Sequence, residues 1–248
     1  MSRIEALALE GLPEIAAGDA LAPLVAVAAE PHGGLGPQDL VVVAHKIVSK
    51  SEGAVVELGA VRPTARARFL AAEHDKDPRA VQVVLDQSAA ILRAERGVLI
   101  CRTRHGFVCA NAGVDASNAG APDRVVTLPR DPDASARALR AALPGRPAVV
   151  IADSFGRAWR HGQCDVAIGV AGLAPLEDWR GRTDAGGREL RATWIAVADE
   201  AAAAADLVRD KTSRTPAVLV RGLGRHVSAV DGPGAAALLR PVAEDLFG

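Results

Sequence analysis

Asp39-Leu40-Val41-Val42-Val43-Ala44 is the stretch on which the fold turns. An apolar, β-branched run without alternation describes a strand buried on both faces, because a half-exposed strand would place a polar residue at every second position. Ala148-Val149-Val150-Ile151-Ala152 repeats the pattern and ends at Asp153. Around these two strands, Leu21 to Ala29 is helix-compatible and is broken by Pro31-His32-Gly33-Gly34-Leu35-Gly36-Pro37. Pro63 to His74, Pro78 to Gln87, Pro132 to Leu143 and Asp199 to Val208 read as helices. Short strands are expected at Val98 to Cys101, Phe107 to Ala110, Ala192 to Val197 and Ala217 to Arg221. Strands and helices mix without strict alternation, and neither a repeat nor a flexible linker divides the chain. One α+β unit with mixed sheets and helices, spanning residues 1–248, is therefore expected.

Composition narrows the function. The 248 residues are 49% hydrophobic and 24% charged with a net charge of −1, a globular profile that gives no bulk attraction to nucleic acid or to an anionic membrane. Three tryptophans, four phenylalanines and no tyrosine leave no basic–aromatic pattern for nucleic acid. No apolar run reaches the roughly 20 residues of a membrane span, and the N-terminus lacks the marks of a signal peptide, so a cytoplasmic protein is expected. Cys101, Cys109 and Cys164 lack CxxC spacing and read as reduced thiols. Any anion must be held by a local site.

Two loops place a carboxylate just beyond an apolar strand: Asn111-Ala112-Gly113-Val114-Asp115-Ala116-Ser117-Asn118 and Asp153-Ser154-Phe155-Gly156-Arg157. Carboxylate and hydroxyl oxygens suit Mg²⁺ or Mn²⁺, which keep their other positions for phosphate and water. Taken singly, Asp115 and Asp153 equally suit a turn or a helix cap. His45-Lys46-Ile47-Val48-Ser49-Lys50-Ser51-Glu52-Gly53 leaves the first strand, and Lys46 and Lys50 there are either phosphate-neutralising or part of a solvated basic turn. The glycines of a Walker A loop are absent. In Gly156 to Gly169, Arg157 and Arg160 could clamp an anion, with Asp165 as a structural partner for one of them, and His161 could act as a base or simply be exposed. Trp179 and Trp194 read as core or sheet-surface residues. His105 and Cys109 invite a Cys–His nucleophile, which nothing in the sequence supports.

Taken in order, these segments resemble the coenzyme F420-0:L-glutamate ligase family. The likeness is carried by Gly11-Leu12-Pro13-Glu14-Ile15, the 46–53 segment, the Asn111–Asn118 loop, Leu128-Pro129-Arg130-Asp131-Pro132-Asp133, Asp153–Arg157, Asp165-Val166-Ala167-Ile168-Gly169, Asp178-Trp179-Arg180-Gly181 and Val220-Arg221-Gly222-Leu223. The resemblance implies the fold of that family and an intertwined homodimer. It implies a GTP-dependent amide ligase that adds L-glutamate to the F420 precursor through an acyl phosphate, releasing GDP and phosphate. By position, Asp115 and Asp153 would hold one Mg²⁺ or Mn²⁺, Ser154 a second with Asp210 as a further oxygen donor, and K⁺ could be required as well. Leu12, Pro13, Glu14, Ile15, His45, Lys46, Lys50 and Asn118 would contact GTP, Lys211 and Thr212 could meet phosphate, and Lys50 would join Asp115 and Asp153 in the reaction. Two departures stand out: Phe155 replaces a position that is often Asn, and Arg209 to Pro216 replaces a more glycine-rich stretch. No flavin is expected, since the chain ends at Gly248 without a reductase part. The alternatives are a related metal-dependent ligase for another amine or carboxylate, and a nucleotide-binding relative without turnover.

Overall fold

The two valine-rich runs lie side by side in the structure, a computed structural model that describes residues 3–209 and 214–245. In chain order the first elements are β1 (Glu5–Leu9), α1 (Leu21–Ala29), β2 (Leu40–Ala44), α2 (His45–Ser51), β3 (Val55–Glu57), α3 (Ala65–His74) and α4 (Pro78–Gln87). Then come β4 (Ser88–Glu95), β5 (Val98–Thr103), β6 (Val108–Ala110), β7 (Arg124–Val126), α5 (Pro132–Ala142), β8 (Ala148–Arg157) and β9 (Arg160–Ala171). The last are β10 (Glu177–Asp178), β11 (Trp194–Ile195), α6 (Val197–Asp206) and β12 (Ala217–Arg221). The central sheet has five strands in the order β1-β12-β2-β8-β9, and smaller sheets pair β4-β5-β6, β3-β7 and β10-β11. The expected α+β class with mixed sheets is what the chain adopts.

β2 and β8 are parallel, with Val41 opposite Val149 and Val43 opposite Ile151; the other pairings of this sheet are antiparallel. The reason for the unbroken apolar runs is visible in the packing. Val41 and Val43 enter a core with Val25 of α1 and Leu139 of α5, while Leu40 and Val42 enter a second core with Ala198, Ala201, Ala202 and Ala205 of α6. Val41, Val42 and Val43 have no exposed surface, so each contributes on the order of 1.5–3 kcal/mol of burial. The alanine face of α6 lets that helix approach the sheet closely.

α5 begins as its sequence dictates, with Pro132 in the first turn and the Asp131 carboxylate accepting from Ala134 N at 2.9 Å. It rests on β9 at Gly169, where a Cβ would lie 2.3 Å from the Pro132 carbonyl, and Asp133 Oδ1 accepts from Val170 N and Ala235 N at 2.8 Å each.

Three expectations change. Asp153 to Arg157 is not a turn: β8 runs through it, paired with β9 from Asp153–Val166 to Arg157–Arg160, and the chain reverses at Ala158-Trp159. His45 to Lys50 is helical and not a turn. The strand expected over 192–197 shrinks to Trp194–Ile195, because α6 has already begun at Val197. No helix among the described residues is long and apolar enough to cross a membrane.

α6 is tied to β9 by Asp199, whose Oδ1 accepts from Ala167 N at 2.9 Å. Burial pushes the Asp199 carboxyl up, against the opposing pull of that N–H. A raised folded value means that its favourable contribution is complete in acid and is lost as pH rises through that value. Asp199→Asn, which keeps the acceptor and drops the charge, should therefore unfold at the same or a higher temperature than the parent at pH 7, with any gain vanishing below about pH 4. Asp199→Ala orphans the Ala167 N–H and should cost about 1–3 kcal/mol. Equal losses for the two variants would contradict this account.

Candidate active site

Because β2 and β8 are parallel neighbours in register, Ala44 and Ala152 end the pair at the same edge of the sheet. From there the chain leaves in two ways, as α2 and as the outer half of β8. The space between holds a cavity of about 710 Å³ whose walls carry Glu14, Lys46, Lys50, Asp115, Asp153 and Asp165. A crevice at the carboxyl ends of parallel strands is where sheets of this kind bind small molecules.

One wall is α2. His45 is buried, with Nδ1 3.3 Å from Ser49 Oγ one turn on. Its Nε2 lies 3.3 Å from Asp153 Oδ1, which is ion-pair distance, but the ring N–H is not aligned for a hydrogen bond and has no other partner among the described residues. Lys50 is largely buried and its ammonium reaches the Glu14 carboxylate on the N-terminal loop. Lys46 crosses instead to the Asn111–Asn118 loop, with Nζ 2.7 Å from Asp115 Oδ2 and 2.6 Å from Ser117 Oγ.

That loop is held by its backbone. Asp115 and Val126 exchange N–H···O bonds of 3.0 and 2.8 Å, which fixes the aspartate beside β7, and Asn111, Ala112 and Asn118 adopt left-handed φ values that turn the chain. Burial alone would raise the Asp115 carboxyl. The hydrogen bond from Lys46 and those from the Ser117 N–H, at 2.6 Å, and hydroxyl, at 2.9 Å, outweigh it and hold Asp115 below the usual carboxylate range. Asp115 is therefore ionised across the physiological range.

The opposite wall is the outer half of the β8–β9 ribbon. Asp153 Oδ1 accepts from Ser154 N at 2.8 Å, and Ser154 Oγ donates to Asp165 Oδ1 at 2.6 Å. The other Asp165 oxygen pairs with Arg209 from the end of α6.

The cavity thus gathers Leu12, Pro13, Glu14, Ile15, His45, Lys46, Lys50 and Asn118, together with Asp115, Asp153 and Ser154. Asp210, Lys211 and Thr212 lie outside the described residues. Gln163, Asp165, Asp206, Arg209 and Arg214 also line it and were not named as site residues; the pairing of β8 with β9 brings the first two there, and Asp206 and Arg209 stand at and just beyond the end of α6. Arg157 and Arg160 are not on its walls. Arg157 folds back on its own hairpin, donating to the His161 carbonyl at 2.7 Å, and both arginines and His161 are exposed. The partner of Asp165 is accordingly Arg209. Phe155 is also off the cavity, packed edge-on against Phe107 with ring centres 6.3 Å apart, so the substituted position presents no ring to a ligand there. Trp194 is half-exposed beneath the Arg180 guanidinium at 4.2 Å, on the surface of the small β10–β11 sheet.

Among the described residues no three His, Cys, Asp or Glu side chains form a ready-made metal cluster. The oxygen donors on the cavity walls, the carboxylates of Glu14, Asp115, Asp153, Asp165 and Asp206 and the Ser154 hydroxyl, are hard and are not gathered into a closed cage. That fits Mg²⁺ or Mn²⁺, which retain waters and complete their shell with phosphate, and does not fit zinc.

Fold and cavity together define an α+β protein with a charged cavity at the carboxyl ends of its parallel strand pair. Residues 11–222 match the family described as F420-0:Gamma-glutamyl ligase. The chain is 43% identical to the coenzyme F420:L-glutamate ligase of Methanothermobacter thermautotrophicus, over 98% of each protein. It is 43% identical to the Methanopyrus kandleri protein of the same name, over 99% of this chain and 97% of the relative. It is 45% identical to that of Natronomonas pharaonis, over 88% and 86%. The chain belongs to the F420-0:gamma-glutamyl ligase family.

Cys109 takes no part in this site as a nucleophile. Burial, reinforced by the nearby Asp153 charge and Cys101, pushes its thiol up to about 12, and His105 Nε2 faces the Pro129 and Arg130 carbonyls at 3.0 and 3.1 Å. Disulfide-exchange titration of the folded chain at pH 8 should leave Cys101 and Cys109 unmodified while all three thiols react in denaturant. Rapid labelling of Cys109 in the folded chain would contradict the assignment.

Proposed function

We propose that the chain is a GTP- and divalent-metal-dependent ligase that joins L-glutamate to the carboxylate of the F420 precursor, in the biosynthesis of coenzyme F420. The observation that carries this reading is the shared cavity: Asp115 approaches it from the Asn111–Asn118 loop and Asp153 from β8, together with Lys46 and Lys50, in a chain of the F420-0:gamma-glutamyl ligase family. The relatives bear the name coenzyme F420:L-glutamate ligase over nearly the whole of this chain.

The chemistry asks for charge neutralisation and alignment more than for a covalent nucleophile. The precursor carboxylate oxygen attacks the γ-phosphorus of GTP, the bond to the β-phosphate oxygen breaks, and GDP leaves. The glutamate amine then attacks the acyl carbon, phosphate departs and the nitrogen gives up its proton. A bound divalent ion would offset charge on the transferring phosphoryl group. Asp115 and Asp153 are the residues to hold one ion, and Ser154 a second, with Asp210 as a further oxygen donor. Lys46 and Lys50, each paired with a carboxylate of the cavity, exchange Asp115 and Glu14 for phosphate oxygens as the nucleotide enters. Asp115 is thereby released to the ion already in its ionised form. Leu12 to Ile15, His45 and Asn118 contact the nucleotide, and Lys211 and Thr212 supply phosphate contacts. The working molecule in this reading is a cytoplasmic homodimer, and K⁺ assists.

Purified protein incubated with GTP, Mn²⁺, L-glutamate and F420-0 should yield a product heavier by one or more glutamyl units, with GDP and phosphate released in equal amounts. Lys50→Ala should lower kcat/KM by about 100-fold or more. Asp153→Asn should abolish turnover while the protein still melts cooperatively. Absence of a heavier product at every Mn²⁺ and Mg²⁺ concentration would overturn the reading, and GTP binding without phosphate release would point to a nucleotide-binding relative.

A further inference from the structure

Asp165 is among the most buried charged residues described, with a side chain only 4% exposed, yet it lies on the wall of a polar cavity. A carboxylate so placed is tolerated only when both oxygens are satisfied, and here they are, by Ser154 on one side and Arg209 on the other. Ser154 and Asp165 are direct cross-strand partners, so the contact is set by the register of the β8–β9 ribbon and not by a loop. We infer that Asp165 is a positioning residue that commits the single proton of the Ser154 hydroxyl. Toward anything else Ser154 meets, its oxygen then acts only as an acceptor.

The inference follows from counting hydrogens. A serine hydroxyl has one proton and two lone pairs, and an ionised carboxylate can only accept. Arg209 occupies the other Asp165 oxygen, and the Ser154 hydroxyl is the donor in this pair. A hydroxyl whose proton is held by Asp165 has only lone pairs left to offer a ligand, as a hard cation requires. This rests on the reading above that Ser154 is an ion ligand, and it adds a residue to which that reading assigned no role. It also predicts what a neutral isostere would do. In Asp165→Asn the amide oxygen is claimed by the guanidinium, so the NH₂ faces Ser154 and donates to it. The serine proton then turns outward, and Ser154 ceases to be a ligand.

The test is Mn²⁺ binding in the presence of GDP, followed by the electron paramagnetic resonance of free Mn²⁺ on the whole chain, with GDP affinity and thermal melting measured alongside. Wild type is expected to bind two Mn²⁺. Asp165→Asn and Ser154→Ala should each weaken the second by about tenfold or more, and the double variant should be no weaker than Ser154→Ala alone. GDP affinity should stay within about threefold of wild type. A purely structural role for Asp165 would lower the melting temperature without this non-additive loss of the second ion. Should the single variant not fold, Asp165→Val/Arg209→Met leaves neither an unpaired buried charge nor an acceptor for the Ser154 proton, and should show the same loss. A second Mn²⁺ bound within twofold of wild type in either Asp165 variant, or additive losses in the double variant, would overturn the inference while leaving the ligase reading intact. Wild type that binds no second Mn²⁺ would overturn both the inference and the second-ion assignment.

Discussion

The parallel pairing of β2 with β8 is the constraint on which the rest of the molecule depends. Two short strands in register, buried on both faces, must end together at Ala44 and Ala152. Whatever follows them therefore begins at neighbouring points, and here one strand is followed by a helix bearing two lysines and the other by a ribbon bearing Asp153 and Ser154. The cavity is a consequence of that divergence. Both hydrophobic cores serve to hold it, since α1 and α5 on one face and α6 on the other leave the strands no freedom to shift.

Charge in the cavity is arranged in opposite-sign pairs: Lys46 with Asp115, Lys50 with Glu14, and Arg209 with Asp165. The pairs differ in burial. Lys46–Asp115 and Lys50–Glu14 each include a carboxylate well exposed to water, which makes them exchangeable by a phosphorylated ligand and its cation at little cost. Arg209–Asp165 is shielded on both sides, and separating it would leave a buried charge unmet. The first two pairs suit ligand exchange and the third suits a fixed wall. A near-neutral chain can in this way present a strongly charged site without a strongly charged surface.

Much of this was legible in the sequence, for reasons that differ by residue. The β-branched runs at 40–44 and 148–152 announced buried strands because both faces of the sheet are covered. The ordered motifs drew together Asp115, Asp153, Lys46 and Lys50, which line one cavity, although as isolated residues each reads equally as part of a turn. What failed was non-local. Asp153, Ser154 and Gly156 have turn chemistry, and only pairing with β9 keeps them extended. α2 has seven residues, too few for a helical period to show. β1 has a sheet partner more than two hundred residues away in sequence, and nothing in Glu5 to Leu9 marks it as a strand. Asp165 was assigned to a nearby arginine because proximity in sequence was the only guide, whereas its partner Arg209 comes from the end of α6.

The most direct test of the central claim is a crystal structure of the chain with GDP and Mn²⁺, with the metal located by its anomalous scattering. The account predicts an ion held by oxygens of both Asp115 and Asp153, with the Lys46 ammonium moved from Asp115 to the nucleotide phosphates. An ion bound elsewhere, with the Lys46–Asp115 pair intact, would contradict it.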